Sequence, residues 1–141
     1  MPVPIRGGTP EDPGFGFVQF GIPLAVITGT GYVAPFGGSS TFSIWATEAS
    51  AQWACPRDAW LWQFRVHLAP VPVGNFFSIA TVRLDGVGTL MRLRLDSTGT
   101  EFEDLTTQVQ VSAGQGISLQ LVTTVGTGTS FTKLQASIGI Y

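Results

Sequence analysis

The sequence predicts an all-β domain, and three observations carry the prediction. Glycine (18) and proline (9) are frequent across the 141 residues, and threonine and valine recur throughout. Nowhere do apolar residues keep the spacing of three and four over a dozen positions that marks an amphipathic helix. Short alternating runs bounded by glycine-rich turns stand in its place. A chain of this length buries roughly two thirds of its unfolded surface as one domain, so it needs no disulfide or metal to fold.

Residues 1–20 carry Pro2, Pro4, Pro10 and Pro13 with Gly7, Gly8, Gly14 and Gly16, a composition that disfavours helix and central strand. Phe15, Phe17 and Phe20 lie in the same segment. That many aromatics suit an extended N-terminal arm that docks on a surface, with packing on its own domain as the alternative. Residues 21–141 then form the domain. Leu24 to Thr28 is a candidate strand ended by Gly29-Thr30-Gly31, and Thr41 to Thr47 is another after Gly37-Gly38-Ser39-Ser40.

Trp60, Trp62, Phe64, Val66 and Leu68 occupy alternate positions, with Leu61, Gln63, Arg65 and His67 between them. This period of two places both tryptophans on the core face. The next strand runs from about Phe76 to Leu84, and Asp85-Gly86 between apolar runs signals a hairpin. On the return strand Met91, Leu93 and Leu95 face inward, and Arg92 and Arg94 outward. A strand from about Leu105 turns Val109 and Val111 inward and Gln108 and Gln110 outward. After Ala113-Gly114-Gln115-Gly116, the residues Ile117, Leu119 and Leu121 alternate with Ser118 and Gln120. The last strand turns Leu134, Ala136, Ile138 and Ile140 inward. About eight antiparallel strands of this length are the element count of a jelly-roll β-sandwich.

Charged residues make up 11% of the chain, against about 25% in an average soluble protein, so part of the surface is expected to be covered by a partner. Seven basic and nine acidic residues give a net charge of −2, which lacks the basic excess that nucleic acid demands. Met1 to Gly8 shows no secretory signal pattern. Phe17 to Ile27 is interrupted by Gln19, Gly21 and Pro23 and is about half the length that spans a bilayer, so no membrane partner is expected. The single Cys55 excludes an intramolecular disulfide and multi-cysteine zinc motifs, and reads as a buried or half-buried thiol.

From Cys55 to Tyr141 the sequence resembles small jelly-roll domains of tailed-phage virion proteins, related in shape to tumour necrosis factor and C1q-like trimers. The likeness rests on Pro56-Arg57-Asp58-Ala59-Trp60-Leu61, on Thr81-Val82-Arg83-Leu84-Asp85-Gly86-Val87, and on Leu105 through Gly114 into Gln115-Gly116-Ile117-Ser118-Leu119. The family turn reads Ala-Gly-Asp where this chain has Ala113-Gly114-Gln115, and the added Gly116 departs further from a cation-binding turn. The resemblance implies a homotrimeric virion component.

Chemistry-bearing constellations are sparse. His67 is the one histidine, on the expected outward side of its strand, with no Gly-x-Ser-x-Gly elbow to supply a nucleophile. Glu101, Glu103 and Asp104, near Asp96, form an acidic cluster that lacks EF-hand spacing and reads as a solvated rim. The Gly-Thr-Gly runs are turns, since no Lys-Ser or Lys-Thr follows them. No catalytic residue, cofactor or metal ligand is assigned. Trp45 and Trp53 are candidates for core or subunit interface. With Phe15, Phe17 and Phe20 they make up the expected partner-contact set. The expected function is a non-enzymatic capsid decoration (cement) protein that contacts itself and a major capsid protein on the virion. The alternative is a receptor- or carbohydrate-binding head of a phage fibre, with a glycan as its ligand.

Overall fold

The computed structural model describes residues 16–22, 29–33, 44–45, 48–69, 74, 77–124 and 133–141. Two antiparallel sheets form a β-sandwich. The strands are β1 (Gly16–Ile22), β2 (Gly29–Val33), β3 (Ile44–Trp45), β4 (Trp53–Ala54), β5 (Ala59–Ala69), β6 (Phe77–Leu84), β7 (Val87–Asp96), β8 (Glu101–Asp104), β9 (Val109–Val111), β10 (Gly116–Thr124) and β11 (Lys133–Ile140), with a short 3-10 turn at Glu48–Ala51. The first sheet runs β1-β11-β5-β8, with β9 also on β5. The second runs β3-β2-β10-β6-β7, with β4 also on β10.

The hairpin read from Asp85-Gly86 joins β6 to β7, with Leu84 opposite Val87. Both turn residues have positive φ, 49° at Asp85 and 81° at Gly86, as a two-residue turn of this hand requires. The turn is tied to β10: Asp85 N donates to the Gly116 carbonyl at 2.9 Å, and Gly116 N donates to Asp85 Oδ1 at 2.8 Å. A Cβ at Gly116 would come within 2.9 Å of the end of the Gln52 side chain, which would have to shift to admit it.

Between the sheets lie Leu61, Phe64, Val66 and Leu68 of β5, Leu134 and Ile138 of β11, Val82 of β6, Met91 and Leu95 of β7, and Ile117, Leu119 and Leu121 of β10, all fully buried. Each large side chain removed from water contributes about 1.5–3 kcal/mol. The inward faces expected for β7, β10 and β11 agree with this core, with Leu93, Val109 and Ile140 packed partly buried against it. Ser78 and Thr123 are buried as well, and their hydroxyls satisfy each other at 3.0 Å.

In β5 the expected faces are reversed at the tryptophans. Arg65 pairs with Ser137 and Trp62 with Gly139, so two residues of β5, Gln63 and Phe64, oppose the one residue Ile138. Gln63 takes φ 55°, and this bulge resets the alternation. Leu61 therefore points inward with Phe64, while Trp60 and Trp62 point outward with Arg65 and His67. Both indoles are half-buried, whereas Leu61 is fully buried. The same bulge divides the partner strand. β8 pairs with residues 64–67 of β5 and β9 with residues 59–61, so the single strand expected from Leu105 to Val111 begins instead at Val109.

Of the segment expected as an arm, residues 16–20 belong to β1, which pairs with β11 from Gly16 opposite Ile140 to Ile22 opposite Leu134. β1 lies at the edge of its sheet. The remainder of the arm, the strand expected at Leu24 to Thr28, and the turns at residues 37–40 and 126–129 lie outside the described residues. Of the strand expected at Thr41 to Thr47, the described part is β3.

Candidate interaction surface

The bulge at Gln63 determines what the outer face of the first sheet presents. Registers across β1, β11 and β5 place Phe17, Gly139 and Trp62 side by side, and the next outward position pairs Tyr141 with Trp60 through two backbone hydrogen bonds of 2.8 and 3.1 Å. Phe17 is 41% exposed. Trp62 and Tyr141 meet edge to face, with ring centroids 5.8 Å apart. The Trp62 Nε1 donates to the Leu105 carbonyl at 2.7 Å, inside the interval between β8 and β9 where the ladder on β5 is interrupted. Leu105 is 38% exposed at the margin of this face. Desolvation pushes the Tyr141 phenol above its ordinary pKa, because burial disfavours the charged form.

Further along the face the side chains become polar and find partners within the chain. Arg65 Nε lies 3.4 Å from Glu103 Oε2. His67 Nδ1 donates to Glu101 Oε1 at 2.5 Å. Asp58 and Asp85 are engaged away from His67: Asp58 Oδ1 accepts from Ala113 N at 2.8 Å, and Asp85 Oδ1 accepts from Gly116 N.

The acidic cluster is a strand with its carboxylates dispersed. Asp104 turns away from Glu101 and Glu103, and its Oδ1 accepts from the amides of Thr106 and Thr107, both at 3.0 Å. Desolvation raises its pKa, but the hydrogen bonds from Thr107 and Thr106 outweigh that effect and hold it below the usual value. Asp96 is held low chiefly by the Thr98 hydroxyl, with the Thr98 amide adding to it. Among the described residues no group of three or more His, Cys, Asp and Glu is placed to hold a metal ion. Cys55 is buried, and its Sγ lies 3.1 Å from the Arg57 carbonyl.

The outer face of the second sheet is built differently. Ser118 points outward, as its alternation predicts, yet it is fully buried because the 3-10 turn covers it. Glu48 Oε1 in that turn accepts from Ser118 Oγ at 2.8 Å and from Arg83 Nε at 2.7 Å. Arg83 also donates to the Gly86 carbonyl. The rest of this face carries the exposed Arg92 and Arg94, and Arg94 lies 4.3 Å over the Phe77 ring. On β7, Thr81 pairs with Arg92 and Arg83 with Gly88, so three residues oppose Val82. Thr89 Oγ1 fills in for the ladder by donating to the Val82 carbonyl and accepting from Met91 N. Leu90 protrudes there, 83% exposed.

Among the sequence-predicted contact residues, the structure sorts Phe17 outward and Phe20 inward, the latter only 3% exposed and part of the core. Trp53 is half-buried and packs on the core from β4. Trp45 is placed by its backbone, opposite Tyr32 in β3. Phe15 lies outside the described residues. Trp60, Trp62 and Leu105 were not in the expected set, and no residue pattern marks the bulge that exposes the tryptophans. No protein-family model matches the chain, and no curated protein matches it in sequence.

Proposed function

We propose that this chain is a non-enzymatic virion structural protein, a capsid decoration protein that binds the assembled shell as a homotrimer. The observation that carries this reading is the outward placement of the exposed Phe17 and the half-buried Trp60 and Trp62 on the first sheet, with Tyr141 buried against Trp62. An apolar strip on a chain with so few charges suits contact with protein better than contact with bulk water. The strand order adds support. Counting β2 to β4 as one edge ribbon and β8 with β9 as one strand, the sheets run 1-8-3-6 and 2-7-4-5, the order in which a jelly roll folds. With the phage-like motifs, this points to a jelly-roll virion component made in the host cytoplasm and carried on the capsid surface. Its partners are its own copies and the major capsid protein. The mechanism is mechanical: a protein that binds only the assembled state stabilises that state by mass action. It requires no cofactor.

The test is co-sedimentation with undecorated capsids, comparing the intact chain with one lacking residues 1–15. The described sheet begins at Gly16, so this truncation leaves β1 in place and should keep the circular dichroism spectrum and melting temperature. Shell binding should fall, because Phe15 and the proline-rich segment are lost. A folded, intact protein that fails to sediment with shells overturns the decoration role. A truncated protein that binds as tightly as the intact one removes residues 1–15 from attachment. The fibre-head reading is favoured by one observation, the outward placement of Trp60 and Trp62 beside the exposed Gln110, since indole faces stack on sugar rings. Saturable binding to a glycan would support it.

A further inference from the structure

We propose that the bulge in β7 presents Leu90, with Arg92 and Arg94 beyond it on the same strand, as an anchor for a protein surface that offers an apolar pocket flanked by carboxylates. The inference rests on the decoration role above, under which that surface belongs to the shell, and it names the part of this chain that engages it.

The first observation is the knob itself. β7 is the last strand of the second sheet, so among the described residues one of its sides has no ladder partner. Edge strands are ordinarily guarded by charge and by bulges that interrupt the pairing surface. The bulge opposite Val82 and the two arginines fit that purpose, but a guarded edge gains nothing from an exposed leucine. Leu90 is 83% exposed, and Val87 at the start of the same strand is 68% exposed, the two most exposed large apolar side chains among the described residues. Apolar side chains held out in this way lower the free energy of a state in which another surface covers them.

The second observation is that the knob is held in place. Immediately before Leu90, Thr89 Oγ1 donates to the Val82 carbonyl at 2.8 Å and accepts from Met91 N at 3.1 Å, and Met91 immediately after it is fully buried. The hairpin turn that precedes Val87 is tied to β10 through Asp85 and to Arg83 through the Gly86 carbonyl. A bulge re-aims a side chain away from the ladder, and a side chain on a fixed backbone loses less freedom when it binds.

The third observation is charge. Arg92 and Arg94 are two residues apart in the regular part of β7, about 7 Å along the strand. Across the sheet, Arg92 is in line with Thr81, Gln120 and Tyr32, and Arg94 with Ile79, Val122 and Thr30. Neither row contains an acid. Arg94 Nε reaches Asp96 Oδ2 in the next row at 3.6 Å, and among the described residues Arg92 forms no ion pair. On a chain of net charge −2 this face is locally positive, complementary to carboxylates. A phosphate backbone would satisfy the arginines but leave Leu90 without an apolar seat. A protein surface accommodates both.

The test is co-sedimentation with undecorated capsids, at low and high salt, of the intact chain and of Leu90→Ser, Leu90→Met, Arg92→Glu and Lys133→Glu. All of these changes fall on exposed side chains, so the melting temperatures should match that of the intact chain. Leu90→Ser and Arg92→Glu should each weaken shell binding about tenfold or more. Leu90→Met keeps the apolar bulk and should bind as the intact chain does. Lys133→Glu is the same charge reversal on β11 of the first sheet and should leave binding unchanged. Binding of the intact chain should weaken as salt rises, and that of Arg92→Glu less steeply. Shell binding by Leu90→Ser as tight as that of the intact chain overturns the anchor, even where Arg92→Glu binds weakly, since the contact would then be electrostatic alone. Losses of equal size from Lys133→Glu and Arg92→Glu overturn the assignment to this face. The functional reading fails in a different way: an intact chain that never binds shells refutes decoration and the anchor with it, whereas an intact chain and variants that all bind alike refute the anchor alone.

Discussion

Deleting Gln63 distinguishes a bulged β5 from an uninterrupted one, because the two arrangements predict opposite outcomes. With the bulge, Gln63 and Phe64 share Ile138 as their partner while Trp62 stays opposite Gly139 and Arg65 opposite Ser137. Removing Gln63 turns two against one into one against one, and every other pairing of β5 with β11 survives. Leu61 still faces inward, Trp62 outward and Phe64 inward, as simple alternation then requires. The local energy should improve, since Gln63 at φ 55° is a non-glycine residue in the left-handed region, a conformation costing about 1–2 kcal/mol. Against this stands a small refit of residues 105–108, which cross the same interval. The net change should lie within about 1 kcal/mol, and for a domain of this size each kcal/mol moves the melting temperature by about 2–4 °C. Thermal and urea unfolding should therefore differ little from wild type. The comparison is Leu61→Ala, which hollows out a fully buried site and should cost about 2–5 kcal/mol. If β5 instead alternates without a bulge and buries Trp60 and Trp62, deletion of Gln63 turns both indoles out of the core. A deletion that unfolds the protein, with Leu61→Ala tolerated, refutes the bulged arrangement.

Two further outcomes follow from the hydrogen bonding. Glu48→Ala removes the acceptor shared by Arg83 and Ser118, whose side chains are largely covered (Arg83 18% and Glu48 14% exposed), and should cost about 1.5–3 kcal/mol in chemical unfolding; Glu48→Gln keeps one acceptor and should cost less, so equal losses would show that the acceptor role is unimportant. For Asp104, the folded pKa is depressed below 3.8, so its contribution is present above the unfolded pKa and is lost as pH falls through the folded value. Melting temperatures of wild type and Asp104→Ala should differ at neutral pH and converge well below pH 3.8. A gap that persists in strong acid would mean that the charged carboxylate is not what supports the Thr106 and Thr107 amides.

How much of the fold was legible depended on whether one local signal decided each element. Asp85-Gly86 was sufficient because few residue pairs accept two positive φ values in succession. β10 and β11 were legible because their inward residues are large and aliphatic while most of their outward neighbours are small or polar. β5 was not, because both of its faces carry large apolar residues up to Gln63: Trp60 and Trp62 on one side, Leu61 on the other. Hydrophobic pattern cannot detect a bulge that exchanges one such face for the other. β8 was hidden for a different reason. Its four residues, Glu101-Phe102-Glu103-Asp104, contain a single apolar side chain, and their charges suggested a rim, although Arg65 and His67 stand opposite Glu103 and Glu101 across a ladder.

The contact residues were legible in kind but not in direction. Three phenylalanines near the start of the chain suggested a surface to be covered, yet Phe17 and Phe20 are three positions apart, and an odd spacing in a strand sends side chains to opposite faces. Once residues 16–22 are recognised as a strand, that spacing alone sorts Phe20 into the core and leaves Phe17 outside. The glycines at 16 and 21 obscured the strand, since they weaken a β prediction wherever they occur. What could not be read locally was that the outward Phe17 would stand beside Gly139 and Trp62, residues far apart in sequence. That adjacency depends on two strand registers and a bulge, so an aromatic surface assembled from three strands emerges only when the whole sheet is in place.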